Sequence, residues 1–194
     1  MADQGSTTIR ANYDYRPMMY LTNLDEDTRR SMRSEVEGDI EGDRLVMSPR
    51  LTPQGGRAYP NLLLDAVDGG TPESFAAQLA PHMTDWEPSR TRYGRPITKK
   101  VPWDSHLTLG LGEFNRFYAR GLCARVVAGG GGYVEVYRAM SVATPRRRSQ
   151  LLIGTVIDAE KLLHDLRIHA AIEPALGVPG GANSGISIQL PSGT

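Results

Sequence analysis

The run "EFNRFYARGLCARVV", residues 113–127, sets Phe114, Tyr118, Leu122 and Val126 at steps of four. That spacing keeps large apolar side chains on one stripe of an α-helix, and such a stripe must be covered by the rest of the chain. The flanking segments carry a different period. "HLTLGLG" before the helix and "YVEVYRAMSV" after it alternate with period two, as half-buried strands do, with Val134 and Val136 opposite to Tyr133, Glu135 and Tyr137. "LLIGTVI" is apolar and rich in β-branched residues. "DAEKLLHDLRIHA" reads as a helix capped by Asp158 that buries Leu162, Leu163 and Leu166, and "SGISIQL" as a last strand with Ile186, Ile188 and Leu190 on one face. The order strand, helix, strand, strand, helix, strand predicts an α+β fold, a mixed sheet with helices packed on one face.

Upstream the patterns weaken. Residues 1–22 are polar, with Tyr13, Tyr15 and Tyr20 set among charges, and read as an N-terminal arm. "NLDEDTRRSMRSEVEGD" suits a superficial helix: Asn23 serves as N-cap, Asp25, Glu26 and Asp27 sit at the positive dipole end, and only Leu24, Met32 and Val36 are apolar. "DRLVMSPRLTPQGGRAYP" predicts a short strand and then a turn-rich loop. In "TPESFAAQLAPHM", Thr71 caps a helix that has Pro72 at its first position, Phe75, Ala76 and Leu79 on one face, and a stop at Pro81. "DWEPSRTRYGRPITKKVPWDS" is a basic polar connection containing Arg90, Arg92, Arg95, Lys99 and Lys100. The domain organisation that follows is an arm over 1–22, a helical, loop-rich region over 23–84, the connection over 85–104 and a compact α+β unit over 105–194. Long connections suit a chain of 194 residues with 21 glycines and 13 prolines.

The four glycines of "ARVVAGGGGYVEVYR" invite a phosphate-binding reading, which their position excludes. Such loops join a strand to a helix N-terminus, where free N–H groups and the positive dipole end meet the anion. Here the glycines follow a helix and precede a strand, so they adjoin carbonyls; Gly129 is expected to stop the helix in left-handed backbone. "TLGLGEFNRF" has the correct order, with Gly110 and Gly112, but Asn115 stands where a dinucleotide fingerprint needs its third glycine. "GVPGGANSGISIQL" leads into a strand with no helix behind it. No cofactor is expected.

Catalytic and metal chemistry finds no anchor either. Cys123 lies mid-helix between Leu122 and Ala124, away from the N-terminal position that activates thiolates, and is expected to be a small core hydrophobe. His164 and His169 diverge by about 140° on a helix, and His82 and His106 complete no ligand spacing, so no metal site is expected. Asp104, Ser105 and His106 are consecutive and cannot assemble a triad locally on an extended chain.

The remaining candidates are basic. Arg146, Arg147 and Arg148 form a loop run, Arg116 and Arg120 share a helix face beside Asn115, and Lys99 and Lys100 add to the connection. Lys plus Arg equals Asp plus Glu at 22 each, so no global field draws the chain to polyanions. The stripe itself is a candidate contact for an anion, a nucleic acid or an acidic neighbour. The start of the chain lacks the basic-then-apolar pattern of a secretory signal and no apolar run reaches the ~20 residues of a membrane span, which predicts a soluble cytoplasmic or virion protein with no membrane partner. The function expected is a non-catalytic structural or assembly subunit, such as a component of a phage-like virion or head–tail connector, whose partners are copies of itself or neighbouring subunits. Tyr13, Tyr15 and Tyr20 would be its arm contacts. The alternative is a small nucleic-acid-binding or nucleic-acid-acting protein that uses the arginine-rich stripe.

Overall fold

The computed structural model describes residues 18–169, 171–179 and 184–191. Its helices are α1 (Glu26–Glu41), α2 (Pro53–Gly69), α3 (Pro72–Leu79), α4 (Ser105–Ala128), α5 (Arg147–Leu152), α6 (Ala159–Ile168) and α7 (Ile172–Ala175). Its strands are β1 (Trp86–Arg90), β2 (Pro96–Lys100), β3 (Tyr133–Arg138), β4 (Val156–Asp158) and β5 (Ile186–Gln189). The class is α+β. Among the described residues all strand pairs are antiparallel, in one hairpin β1-β2 and one three-stranded sheet of order β4-β3-β5, so the sheet they form is not mixed. Residues 139–155, which include α5, return the chain so that β4 runs antiparallel to β3.

Helix α4 is the centre of the molecule, packed by α1, α3 and α6. Phe114, Phe117, Tyr118, Leu122 and Cys123 are fully buried, and the same cluster takes in Met32, Tyr59, Leu63 and Phe75 from upstream and Val134, Val136, Leu166 and Ile188 from downstream. Two glycines set how closely the neighbours approach. A Cβ on Gly121 would stand 2.7 Å from the Met32 backbone nitrogen, and one on Gly110 would stand 2.5 Å from the Ala76 Cα. Gly121→Ala should therefore cost about 1–3 kcal/mol as α1 is forced off α4. Gly112→Ala, where the new methyl meets nothing within 4 Å, should instead gain about 0.5–1 kcal/mol from helix propensity. Chemical denaturation of the two variants reads the difference; equal effects would remove the close crossing.

Several segments depart from their sequence reading. "HLTLGLG" is the first two turns of α4 and not a strand. Leu111 reaches the core on the same stripe as Phe114 and Tyr118, and extending a nucleated helix adds one bond per residue fixed. "TPQGGRAYP" is not a loop: it opens α2, where Thr52 Oγ1 accepts from the Gly55 N–H at 3.0 Å, Pro53 occupies the first turn, and Tyr59, Leu63, Ala66 and Val67 form the buried face. Among the described residues no strand precedes it; Leu51 makes only an isolated bridge to Met83. Helix α1 is not superficial, since Thr28, Met32 and Val36 are fully buried, and its cap is Asp25, whose Oδ1 accepts from the Thr28 N–H at 3.0 Å. The basic polar connection over 85–104 contains the β1-β2 hairpin. In "LLIGTVI", Leu151 and Leu152 end α5 and only Val156 and Ile157 belong to β4. Gly129 ends α4 with φ −78°, and the positive φ angles fall on Gly130, Gly131 and Gly132.

Three expected elements are in place. Thr71 and Ser74 make a reciprocal capping box on α3, Asp158 caps α6 through the Lys161 N–H, and Val134 and Val136 point into the core from β3. Of the expected N-terminal arm, Tyr13 and Tyr15 lie outside the described residues. Residues 19–23 are tied to the body: Tyr20 N–H donates to Ala139 O at 2.8 Å, Tyr137 OH donates to Tyr20 O at 2.5 Å, and Asn23 N–H donates to Tyr118 OH at 3.1 Å. The Tyr20 ring itself is exposed.

Candidate functional site

The expected cationic stripe separates into three places. Arg116 and Arg120 are buried, at 3% and 2% exposure, and are not available to a phosphate backbone. The reason is the packing of α1 on α4. Arg120 Nε and Nη2 donate to Glu35 Oε2 at 2.9 and 2.7 Å, and its Nη1 donates to Asp39 Oδ2 at 2.5 Å. Arg167 reaches the same Glu35 from α6 at 2.5 Å, and Arg44 stands 3.6 Å from Asp39. Burial alone would raise the carboxyl pKa values of Glu35 and Asp39; the surrounding guanidinium groups overcome it and hold both below their ordinary values. Arg116 Nη2 donates to Glu113 Oε2 at 2.7 Å, and both guanidinium groups lie over the Phe117 ring, at 4.5 and 4.9 Å. Arg120 thus joins α4 to α1, whereas Arg116 pairs along α4 itself.

Arg147 and Arg148 are exposed at the start of α5, and Arg146 precedes them, its Nη1 3.5 Å from Pro179 O. Lys99 and Lys100 lie on β2, whose five residues are all exposed. The hairpin they belong to makes no extensive contact with any other helix or strand. Its tip is a tight turn, with Thr91 N–H donating to Arg95 O at 2.8 Å and Gly94 at φ 79°. Its base is fixed by Arg50, which donates to Glu87 Oε2 and Oε1 at 2.7 and 3.2 Å, and by Val101 N–H on Asp85 O at 2.9 Å. Lys99 Nζ joins Glu87 at 3.2 Å, and these cations hold the Glu87 carboxyl below its usual range. Along this projection Trp86, Tyr93, Ile97 and the following Trp103 are exposed, Tyr93 and Trp103 by 81% and 85%. Two-stranded hairpins without a covered face are marginal in water.

Reading the sequence missed both the hairpin and a second feature. The hairpin could have been found from "SRTRYGRPITKK", where Thr91 to Gly94 carry turn residues between two short runs. The second feature is a cleft of about 550 Å³ at the hairpin base, lined by residues from the 48–50 loop, β1, α4 and α7. No sequence spacing signals it, since its walls come from distant segments.

Cys123 and Asn115 both lie in the interior. Cys123 is fully buried, and burial, with help from Glu35 and Asp158, pushes its thiol up to about 12. Tyr59 is likewise pushed well up by burial and by Glu113, to which its OH donates at 3.0 Å. Asn115 ties α4 to β5, donating to Ile186 O at 2.9 Å and accepting from Ser187 Oγ at 2.6 Å. Among the described residues no group of three or more His, Cys, Asp and Glu side chains is placed to hold a metal ion, and no helix is long and apolar enough to cross a membrane. No protein-family model, no curated protein and no solved structure matches the chain.

Proposed function

We propose that this chain is a non-catalytic assembly subunit that docks on copies of itself through the β1-β2 hairpin, as a component of a virion or connector would. The projecting hairpin is the observation that carries this reading. Exposed aromatic and apolar side chains on a strand pair with no covered face are what a subunit interface buries. Charge supplies the partner. Residues 86–100 hold Arg90, Arg92, Arg95, Lys99 and Lys100 against the single acid Glu87, in a chain of formal net charge +0. The rest of the chain is therefore net acidic, and Glu41, Asp43 and Asp65 are exposed and make no ion pair among the described residues. A basic projection meeting an acidic body is a head-to-tail contact, the kind that closes rings or extends filaments.

Nucleic acid is the second reading, favoured by the same five cations with Tyr93 between them. The two are separated by charge exchange. Arg92→Glu/Arg95→Glu/Lys100→Glu should abolish self-association, and mixing it with Glu41→Lys/Asp43→Lys/Asp65→Lys should restore it. Both sets are exposed, so stability should change by less than about 0.5 kcal/mol per site. Failure of the mixture to associate, together with binding of a 20-base-pair duplex by the wild type that weakens with salt and is lost in the hairpin variant, would transfer the function to nucleic acid.

A further inference from the structure

The cleft at the hairpin base holds one carboxylate that nothing around it compensates among the described residues. Glu87, Glu113 and Glu173 line it, against the one guanidinium of Arg50. Two of these carboxylates are satisfied from within the fold: Glu87 by Arg50 and Lys99, and Glu113 by Arg116 and the Tyr59 hydroxyl. Glu173 is not. It is 6% exposed, its Oε1 is shielded without a partner, and no hydrogen bond or ion pair reaches either of its oxygens among the described residues. A buried carboxylate left uncompensated is costly, because desolvation is not repaid by any donor. Its neighbour Ile172 and the facing Met140 add apolar wall. The volume falls in the range of small-molecule clefts, roughly 300–1,000 Å³.

These observations select the ligand by elimination. An anion would face the uncompensated Glu173 carboxylate, and a purely apolar guest would leave it unpaired. A carboxylate has only acceptor sites, so its complement must donate N–H bonds and bring positive charge. We propose that the cleft is a binding site for an alkylguanidinium or primary alkylammonium group, its N–H donors on the Glu173 carboxylate and its carbon chain along Ile172 and Met140. The group is supplied by a free small cation or by an arginine or lysine side chain of a protein. The cleft adjoins the hairpin at Glu87, but this proposal rests on Glu173 and not on the assembly reading.

The test compares matched probes on the full chain by calorimetry. n-Butylguanidinium should bind saturably and n-butylurea, of similar shape but uncharged, should bind at least tenfold more weakly. Glu173→Gln should raise the Kd for n-butylguanidinium at least tenfold, with a thermal unfolding midpoint no lower than that of the wild type to show that the fold is kept. Nα-acetylarginine methylamide distinguishes the sources: tighter binding than n-butylguanidinium assigns the site to a protein side chain, weaker binding to a free cation. Equal affinity for the guanidinium and the urea, or no saturable binding of n-butylguanidinium or n-butylammonium, overturns the proposal. The comparison on the wild type decides the matter even if Glu173→Gln fails to fold.

Discussion

Arg120→Ala is expected to destabilise the protein by about 3–5 kcal/mol, the cost of removing one partner from a buried ion cluster. Two carboxylates, Glu35 and Asp39, would lose the guanidinium that donates four close hydrogen bonds to their side chains. Arg167 and Arg44 remain as partial compensation, each more than half exposed. The pH dependence distinguishes this mechanism from simple loss of packing. In the wild type both carboxyl pKa values are depressed, so their contribution is fully present above the unfolded value of about 4 and is lost as pH falls through the lower folded values. In the variant, burial without Arg120 raises these pKa values, and protonation relieves the unpaired charge. The stability deficit should then shrink as pH falls from 7 toward 5, read by urea unfolding at each pH. A deficit independent of pH would mean that Arg120 acts through its packing on Phe117. Arg120→Lys should fall between, since one ammonium cannot reproduce the planar fork.

Leu122→Ala and Leu166→Ala should each cost about 2–5 kcal/mol, the range for truncating a leucine where the site collapses only partly. Both side chains have 0% exposure, one on α4 and the other on α6, which pack on each other. Because they share one core, the double variant should depart from additivity by more than about 0.5 kcal/mol. Equilibrium denaturation decides it. Losses below about 0.5 kcal/mol, the surface range, would contradict the placement of α4 at the centre.

The contrast between these predictions shows what a single sequence makes legible. Leu122 and Leu166 announce themselves by spacing, because apolar periodicity is a local property and α4 and α6 obey it. Helix α1 hides its inward face, since Glu35 and Asp39 occupy positions an apolar stripe would fill and become interior only when Arg120 arrives from 81 residues or more away. Arg116 and Arg120 read as a surface stripe because their spacing says nothing of the burial that packing imposes. Helix α2 was obscured by Gly55, Gly56 and Pro60, which lower helix propensity; its Tyr59, Leu63 and Ala66 contacts with the core override them. The cleft was unreadable, as Glu87, Glu113 and Glu173 meet only after folding. The cations of the hairpin were visible, but their projection from the body is a tertiary fact.

That projection bears the functional account, and its most direct test is the native mass of the full chain. Sedimentation velocity over a range of concentrations should give species several times the 21.2 kDa protomer mass. These should dissociate as salt is raised, because charge on the hairpin helps hold the contact. Arg92→Glu/Arg95→Glu/Lys100→Glu should sediment as a folded monomer throughout. A wild type that remains a 21.2 kDa monomer at every concentration, indistinguishable from that variant, would contradict self-assembly through the hairpin.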